Sequence, residues 1–253
     1  MACVLTFNAP EDLAATLRAL ESQTRPVDSV LVVDNASEPP AVARGSTIVR
    51  SDVNKGPAGG HAEGLRQFIR EDADFAWVMD DDIRPADDCL ERLLQEADCQ
   101  TVVRPTVIAP NGDAERYPGW YGVLIPRGVV LRVGYPREDL FWWIEDAEYL
   151  LHRIPRVGRF DSVVSDALAT HSANRRKRTK PAWKYYYEAR NTVWYRTRVY
   201  RGDQYIRRLF RIAFRPAARI LIVEDSKVPK LAMHLRGLTE GARGRLGVTV
   251  RPQ

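Results

Sequence analysis

The sequence predicts an α/β fold with a mainly parallel sheet flanked by helices, followed by a helical C-terminal region. Short apolar runs that are typical of buried strands alternate with segments whose apolar residues recur at helical spacing. Such alternation indicates crossover connections and therefore parallel strands. Polar residues follow several of the apolar runs directly, as expected where the carboxyl ends of parallel strands form a ligand-binding edge.

The N-terminal half contains this alternation. Strands are predicted at Cys3–Phe7, Val30–Val33, Thr47–Arg50, Phe75–Met79 and Thr101–Ile108, and helices at Glu11–Ser22 and at about Ala86–Ala97. A glycine-rich loop with Gly56, Gly59 and Gly60 is expected to lead into a further helix. From Pro110 to Gly134 turns are frequent and periodicity is weak, so no regular element is assigned there.

The second half begins with a segment rich in aromatic residues and acids. A helix is predicted to start near Asp146, with Tyr149, Leu150 and Ile154 on its apolar face. A strand-like stretch at Ser162–Thr170 follows, and helical patterns occur near Trp183–Arg201 and Asp203–Ile222.

Composition narrows the class of protein. The 253 residues are 45% hydrophobic and 28% charged, as in ordinary globular proteins. Three scattered cysteines, Cys3, Cys89 and Cys99, cannot form a disulfide framework or a cysteine metal site, so we interpret them as structural and expect a reducing cytoplasm. No apolar run of bilayer length is present, and the first residues lack the features of a signal peptide.

Positive charge is concentrated late in the chain. Between His171 and Ile220 there are fifteen Lys and Arg residues against two acids. Three interpretations fit: an interfacial helix at Ile206–Val223 on an anionic membrane, a solvated or subunit-packing face, and a nucleic-acid surface that uses Trp183 and Tyr185–Tyr187. We favour the membrane and do not favour nucleic acid. The cluster Arg175–Arg178 could instead cover the phosphate groups of a ligand.

Three carboxylates, Asp80, Asp81 and Asp82, end the apolar run Phe75–Met79. Like charges this close repel one another and raise each other's pKa unless a cation or hydrogen-bond donors lie among them. A solvated turn or a helix cap is the simplest explanation of such a cluster. At a strand end, however, the cluster suits a hard divalent ion such as Mg²⁺ or Mn²⁺.

A second acidic site is predicted at Glu145–Asp146, directly after Trp142 and Trp143. The tryptophans could be core residues, and the acids could cap a helix. Aromatic rings beside paired carboxylates are also typical of sugar sites, where a ring stacks on the sugar and a carboxylate accepts a hydroxyl proton. His171 taken alone is more often a core or surface histidine than a ligand.

Five segments in this order, LTFNAPEDLAATLRALESQT, VVDNAS, NKGPAGGHAEGLR, WVMDDDI and WWIEDAEYLLH, resemble the family-2 glycosyltransferases of GT-A fold. The resemblance covers roughly residues 2–171 and is strongest to the galactofuranosyl- and rhamnosyltransferase branch. It implies metal-dependent, inverting transfer of galactofuranose or rhamnose from a UDP- or dTDP-sugar to a glycan or lipid-linked acceptor. It also implies a catalytic domain at 1–174 and a basic helical region at 175–253.

The resemblance assigns roles to individual residues. It implies donor binding by Thr6, Asn8, Asp34, Asn35, Asn54, Gly56, Gly60, Asp80 and Asp81, metal binding by Asp80, Asp82 and His171, acceptor binding by Trp142 and Trp143, and general-base catalysis by Asp146 next to Glu145. Glu145 departs from the pattern, because galactofuranosyltransferases carry Asp there.

Other classes remain open at this point. The signature of processive synthases and transmembrane helices are both absent, which favours addition of one or a few sugars by a cytoplasmic or peripherally membrane-bound protein, with a homo-oligomer possible. The alternatives are a non-catalytic nucleotide- or nucleic-acid-binding α/β module and a nucleotidyltransferase. The last would need a glycine-rich basic loop after the first strand, where this chain reads NAPEDL.

Overall fold

The computed structural model of the chain describes residues 1–115, 117–172, 179–200 and 205–252, without the side chains of 161–162 and 205–210. Its strands are β1 Ala2–Thr6, β2 Val30–Asp34, β3 Thr47–Arg50, β4 Phe75–Asp80, β5 Ile83–Pro85, β6 Thr101–Ile108, β7 Tyr121–Pro126 and β8 Arg159–His171. Its α-helices are α1 Pro10–Glu21, α2 Gly56–Arg70, α3 Cys89–Glu96, α4 Arg127–Val133, α5 Ala182–Trp194, α6 Tyr205–Ile222 and α7 Lys227–Arg243. Short 3₁₀ turns cover Glu138–Leu140 and Ile154–Arg156, and π-helical turns cover Ala147–Arg153 and Tyr195–Val199.

The strands form one sheet in the order β3-β2-β1-β4-β7-β6-β8-β5. The pairs β3–β2, β2–β1, β1–β4 and β6–β8 are parallel, whereas β7 and β5 run antiparallel to their neighbours. The prediction of a mainly parallel sheet is therefore confirmed.

Helices cover both faces of this sheet because strand side chains alternate between the faces. On β1, Val4 faces the cluster that contains Leu13 of α1 and Leu93 of α3. Leu5 faces the opposite cluster, which contains Phe68 of α2 and residues of α4 and of the 147–153 turn. The result is a three-layer arrangement whose polar edge lies at the carboxyl ends of the central strands.

The predicted helical C-terminal region is present, and it contains α7, which the sequence analysis did not assign. α7 packs against α5 at close range, since a Cβ atom added at Gly237 or Gly241 would lie 2.3 Å from the carbonyl oxygen of Tyr186 or Arg190. Two glycines four residues apart on one helix face thus allow the two backbones to approach.

Several other boundaries differ from prediction. The predicted glycine-rich loop is wrong, because α2 begins at Gly56 itself and places Gly59 and Gly60 inside the helix. β7 and α4 were missed because β7 ends at Pro126 and α4 begins at the next residue, which conceals two elements in one stretch. The helix predicted at Ala86–Ala97 is shorter and begins at Cys89.

Some predictions fall outside the described part of the chain. These are the cluster Arg175–Arg178 and the side chains of Ile206, Leu209 and Phe210. In the described ranges, no helix is both long and apolar enough to cross a bilayer.

We expect Gly60→Ala to lower the free energy of unfolding by about 1–3 kcal/mol, because its Cβ would lie 2.2 Å from Leu5 Cδ1 in the core. Gly64→Ala on the same helix is the matched control, since its Cβ would meet Val33 only at 3.5 Å. Alanine there should raise the free energy of unfolding by up to about 1 kcal/mol through helix propensity. Urea denaturation of both variants measures the difference, and equal effects would contradict the close packing of α2 on β1.

Candidate active site

The carboxyl ends of three central strands bring the predicted polar residues together. Thr6 of β1 pairs with Asp34 of β2, and Leu5 pairs with Asp80 of β4. Thr6 Oγ1 donates a hydrogen bond to Asp81 Oδ2 at 2.6 Å. The residues after β1, β2 and β4 therefore share one edge, as the sequence predicts.

Asp34 organises the turn after β2. Its carboxylate is buried and accepts hydrogen bonds from the N–H groups of Ser37 at 2.8 Å and Ala41 at 3.0 Å and from Arg50 at 2.5 Å. Burial opposes ionisation, but these donors outweigh it and hold the pKa of Asp34 below its ordinary value. The oxygens of Asp34 are thus occupied by the turn itself. Asn8 joins this turn, since its Oδ1 accepts from Glu38 N at 2.7 Å.

Asn35 links the same turn to the start of α2. Its amide donates to Asn54 Oδ1 at 3.1 Å and to the carbonyl of Gly56 at 3.2 Å, and its Oδ1 accepts from Lys55 N. Gly56 has a φ of +68°, and a Cβ atom there would lie 2.1 Å from the carbonyl oxygen of Phe141. Glycine is required at this position.

Gly60, another predicted donor-binding residue, lies one helical turn further along α2 and packs on Leu5. Close packing against Phe141 and Leu5 therefore explains why glycine occupies positions 56 and 60.

Asp81, the middle acid, faces inward. Burial raises the pKa of Asp81 to about 7, and the charges of Asp80 and Asp82 act in the same direction, although the hydrogen bond from Thr6 opposes them. Its backbone carbonyl accepts from Thr16 Oγ1 and, at 3.0 Å, from Arg84. The turn between β4 and β5 is thereby fixed to α1.

Asp80 contacts a residue that sequence reasoning missed. His61 of α2 is buried, and its Nε2 lies 2.9 Å from Asp80 Oδ1. The ring of His61 stacks on Trp120 at 4.4 Å between centroids. The only available sequence signal was the position of a histidine, one of four in the chain, directly after the glycine pair.

Asp82 and His171 lie side by side, because β5 pairs with the end of β8 and aligns Ile83 with His171. His171 Nε2 lies 3.2 Å from Asp82 Oδ2, and His171 Nδ1 lies 3.3 Å from Glu115 Oε1. Burial lowers the pKa of His171, but Asp82 and Glu115 outweigh it and the net pKa is raised. Glu115 was missed in the weakly periodic stretch.

The possible metal ligands at this edge partly match the requirements of a hard divalent cation. Asp82 Oδ1 is buried and has no hydrogen-bond partner among the described residues, as expected of an oxygen available to an ion. Carboxylate oxygens are the ligands that suit Mg²⁺ and Mn²⁺. Within the described ranges, however, no three His, Cys, Asp or Glu side chains already converge on one point. Asp82 and His171 are adjacent, whereas Asp80 is engaged by His61.

The second acidic site faces the first. Glu145 is buried, and desolvation together with the charges of Asp146 and Asp80 raises its pKa well above the ordinary value. Burial and the charge of Asp80 raise the pKa of Asp146 to about 6, against the hydrogen bond from Ala147 N to Asp146 Oδ1 at 2.6 Å. Asp146 thus caps the 147–153 turn, as the simpler interpretation predicts, and also faces Asp80.

Glu145 Oε2 is buried without a hydrogen-bond partner in the described part of the chain. Such an atom is destabilising unless something binds it, and unpaired buried acids cluster at functional sites. Burial and the neighbouring carboxylates thus disfavour ionisation of both acids.

Aromatic rings border the acid pair. Trp143 is 43% exposed, Trp142 is half-buried, and their ring centroids lie 5.3 Å apart. Tyr121 of β7 lies among the carboxylates of both acidic sites and packs on His171 at 4.9 Å between centroids. Tyr121 was missed because β7 was not predicted.

The aromatic run of α5 is not available for stacking. Tyr185, Tyr186 and Tyr187 are at most 1% exposed and pack inside the chain. Tyr185, Tyr186 and Tyr187 therefore do not provide the exposed aromatic surface that the nucleic-acid interpretation requires.

Comparison with known proteins agrees with this geometry. The sequence pattern described as Glycosyl transferase family 2 matches residues 1–147. The chain belongs to this family. The predicted relationship to family-2 glycosyltransferases is confirmed.

The curated relatives are galactofuranosyltransferases. Galactofuranosyltransferase GlfT1 of Mycolicibacterium smegmatis is 41% identical over 92 residues, which cover 34% of this chain and 30% of that protein. The protein of the same name from Mycobacterium tuberculosis is 37% identical over 93 residues, which cover 32% and 29%. The match thus spans less than a third of the length of these relatives.

Solved structures show the same fold. S. aureus TarS aligns with a TM-score of 0.63 at 16% identity over 95% of this chain and 48% of its own. The mannosyltransferase PcManGT from Pyrobaculum calidifontis, in complex with GDP-Man and Mn²⁺, gives 0.59 at 15% over 96% and 75%. GalNAc-T7 with UDP, GalNAc and Mn²⁺ gives 0.62 at 13% over 96% and 55%. The predicted GT-A fold is confirmed.

Proposed function

We propose that this chain transfers a sugar from a nucleoside diphosphate sugar to an acceptor hydroxyl, with Asp146 as general base. The supporting observation is that the pair Glu145–Asp146 faces the strand-end carboxylates closely enough for the charge of Asp80 to raise the pKa of both acids. A family-2 chain thereby presents a base opposite a diphosphate-binding edge. Residues 1–174 would form the catalytic unit.

The donor would lie along the edge formed by β1, β2 and β4. Thr6, Asn8, Asp34 and Asn35 would surround the base and ribose, and Asn54, Gly56, Gly60, Asp80 and Asp81 would lie near the sugar diphosphate. Because the oxygens of Asp34 are already bonded within the turn, its role would be to shape the backbone that contacts the nucleotide.

We propose Mn²⁺ or Mg²⁺ as cofactor, held by Asp80, Asp82 and His171. The free Oδ1 of Asp82 supports this, as do the Mn²⁺ complexes among the structural neighbours. Bound there, the ion would neutralise charge that develops on the departing diphosphate. Asp80 would bind the ion through the carboxylate oxygen that does not contact His61.

Asp146 would act on the acceptor. Its Oδ1 is held by Ala147 N, which leaves Oδ2 to accept the hydroxyl proton. As the hydroxyl oxygen forms a bond to the anomeric carbon, the bond to the diphosphate oxygen breaks and its electron pair leaves with the diphosphate. One displacement at this carbon inverts its configuration. The raised pKa makes the carboxylate of Asp146 a stronger base than an ordinary aspartate.

The acceptor would stack on the exposed ring of Trp143 with Trp142 behind it, since aromatic faces bind the apolar faces of sugars. Glu145 would hydrogen-bond the same acceptor through its unpaired oxygen. Galactofuranose is the favoured donor sugar because the curated relatives carry that name, and rhamnose is the second choice. A glycan or lipid-linked acceptor is proposed.

We expect Asp146→Asn to reduce kcat by about 10²–10⁴-fold, because an amide cannot accept the proton. Binding of UDP-galactofuranose should change little, since Asn keeps the size of the side chain and its Oδ1 still accepts from Ala147 N. Initial rates with UDP-galactofuranose or dTDP-rhamnose and an octyl galactofuranoside acceptor, with calorimetry of donor binding, provide the measurement. A turnover near that of the wild type would show that Asp146 is not the base.

Asp82→Asn should weaken binding of Mn²⁺ alone by about tenfold to 100-fold, because one anionic ligand is lost. Asp166→Asn is the control, since that carboxylate is 62% exposed and pairs with Arg92. Titration calorimetry with MnCl₂ measures the affinity, and transfer should cease in EDTA. Equal Mn²⁺ affinity of the two variants, or full activity in EDTA, would disprove the metal site.

The region 175–253 is proposed to contact an anionic membrane surface on the cytoplasmic side, near a lipid-linked acceptor. Leu221, Ile222, Val223 and Val228 are 52–80% exposed around the end of α6. Exposed cations accompany them at Arg211, Arg215 and Lys227. An apolar patch among cations matches a bilayer with anionic headgroups.

The double variant Leu221→Ser with Ile222→Ser should therefore bind phosphatidylglycerol-containing vesicles several-fold more weakly, since about 0.8 kcal/mol per buried CH₂ is lost. Val42→Ser is the control, because Val42 is 76% exposed in another part of the chain. Flotation with phosphatidylglycerol and with pure phosphatidylcholine vesicles gives the readout. Equal binding of the wild type to both vesicle types would refute a role for anionic lipid.

A further inference from the structure

The segment that precedes the acid pair has an unfavourable backbone. Phe141, Trp143 and Ile144 have φ values of +62°, +76° and +73°. Positive φ values cost residues with a Cβ roughly 1–3 kcal/mol each, and more when the side chain is branched at Cβ, as in Ile144. Three such residues among four do not keep this conformation unless surrounding groups hold it, and strain of this kind concentrates at functional sites.

Asn191 of α5 supplies the main restraint. Its Nδ2 donates to the carbonyl oxygens of Leu140 at 2.8 Å, Trp142 at 2.7 Å and Trp143 at 3.0 Å. An amide has two N–H groups, so one of them is shared between two carbonyls. One fully buried side chain therefore fixes three of the four peptide groups immediately before Ile144.

Arg190 determines the orientation of that amide. Its Nε donates to Asn191 Oδ1 at 2.7 Å, which assigns the oxygen and directs Nδ2 toward the segment. Its remaining N–H groups donate to the carbonyls of Asp139 and Leu140 at 3.1 Å and of Gly247 at 2.5 Å. Arg190 is completely buried, so its position is as fixed as that of Asn191.

The restrained segment leads directly into both acidic residues. The carbonyl of Ile144 accepts from Glu148 N at 2.8 Å, so the segment continues into the turn that carries the acids. On the donor side, the carbonyl of Phe141 accepts from Ala58 N at 3.2 Å at the start of α2. The position of Asp146 relative to the strand-end carboxylates thus depends on how residues 140–144 are held.

We propose that Asn191, oriented by Arg190, is a positioning residue that holds the strained segment 140–144 and thereby aims Asp146 and Glu145 at the acceptor. The helical C-terminal region is, on this basis, part of the machinery that makes the acid pair productive. The consequence for turnover rests on the proposed base function of Asp146, whereas the restraint on the segment does not.

Asn191→Ala removes all three hydrogen bonds and lets the segment relax toward negative φ. Hydrogen exchange of the amides of 139–147 should become faster. Since a displacement of about 1 Å costs on the order of 10²-fold in rate, kcat with UDP-galactofuranose and an octyl galactofuranoside should fall by about that factor. The KM for the donor should stay within about threefold of wild type, because the three lost hydrogen bonds lie on Leu140, Trp142 and Trp143 and the strand-end residues keep theirs.

Tyr186→Phe is the matched control. Tyr186 is equally buried on the same helix and bonds Glu240 and Thr249, not the segment. This variant should lose stability but keep both kcat and the exchange rates of 139–147, which separates positioning from general destabilisation of α5.

Arg190→Lys repeats the test if Asn191→Ala does not fold. The lysine keeps the charge but cannot bond Asn191 Oδ1, Asp139 and Gly247 together, so the same changes in exchange and kcat are expected.

Unchanged exchange in Asn191→Ala, or faster exchange with kcat within about threefold of wild type, would overturn the proposal. A KM effect without a kcat effect would also overturn it. Full activity of Asp146→Asn would have a different meaning, because it would show that Asp146 is not the base. A loss of kcat in Asn191→Ala would still show that turnover depends on the position of the segment 140–144.

Discussion

The parallel pairing of β1 with β2 and β4 is the constraint on which the rest of this structure depends. Parallel strands end at the same edge, so the register that aligns Thr6 with Asp34 and Leu5 with Asp80 brings together residues far apart in the chain. The bond from Thr6 to Asp81 directly links two of these strand ends. The sheet therefore assembles the candidate site from residues that are distant in sequence.

Negative charge is concentrated at that edge, and the fold stabilises the ionised form of some of these acids but not of others. Asp34 is neutralised by Arg50 and backbone donors, whereas Asp81 and the pair Glu145–Asp146 have raised pKa values because burial and like charges disfavour ionisation. One site thus contains acids whose ionised form is stabilised and acids whose ionised form is not. Among the unstabilised ones, Asp146 is the proposed base, and Asp81 lies between the two proposed metal ligands Asp80 and Asp82.

Resemblance and pattern could anticipate much of the fold, since apolar runs and their polar ends are local features. The start of α2 could not be placed in this way. Gly56 and Gly60 are typical of a loop in sequence, and only the contacts with Phe141 and Leu5 show that they are packing positions. The stretch that carries Tyr121 and Glu115 was equally hard to interpret, because Glu115 lies in a loop after β6 and β7 is followed directly by α4.

The sequence by itself determined the alternation of strands and helices in the N-terminal half, the strand-end acids and the presence of a second acid pair, because buried strands and helices repeat their apolar residues at characteristic spacings. Only the tertiary structure decided the partners of those acids. His61 reaches Asp80 from a helix face, Glu115 reaches His171 from an unassigned stretch, and Asn191 restrains the acid-bearing segment from α5. Hydrogen bonds between residues 19 to 56 positions apart produce no periodic pattern in the sequence, so only the three-dimensional structure shows them.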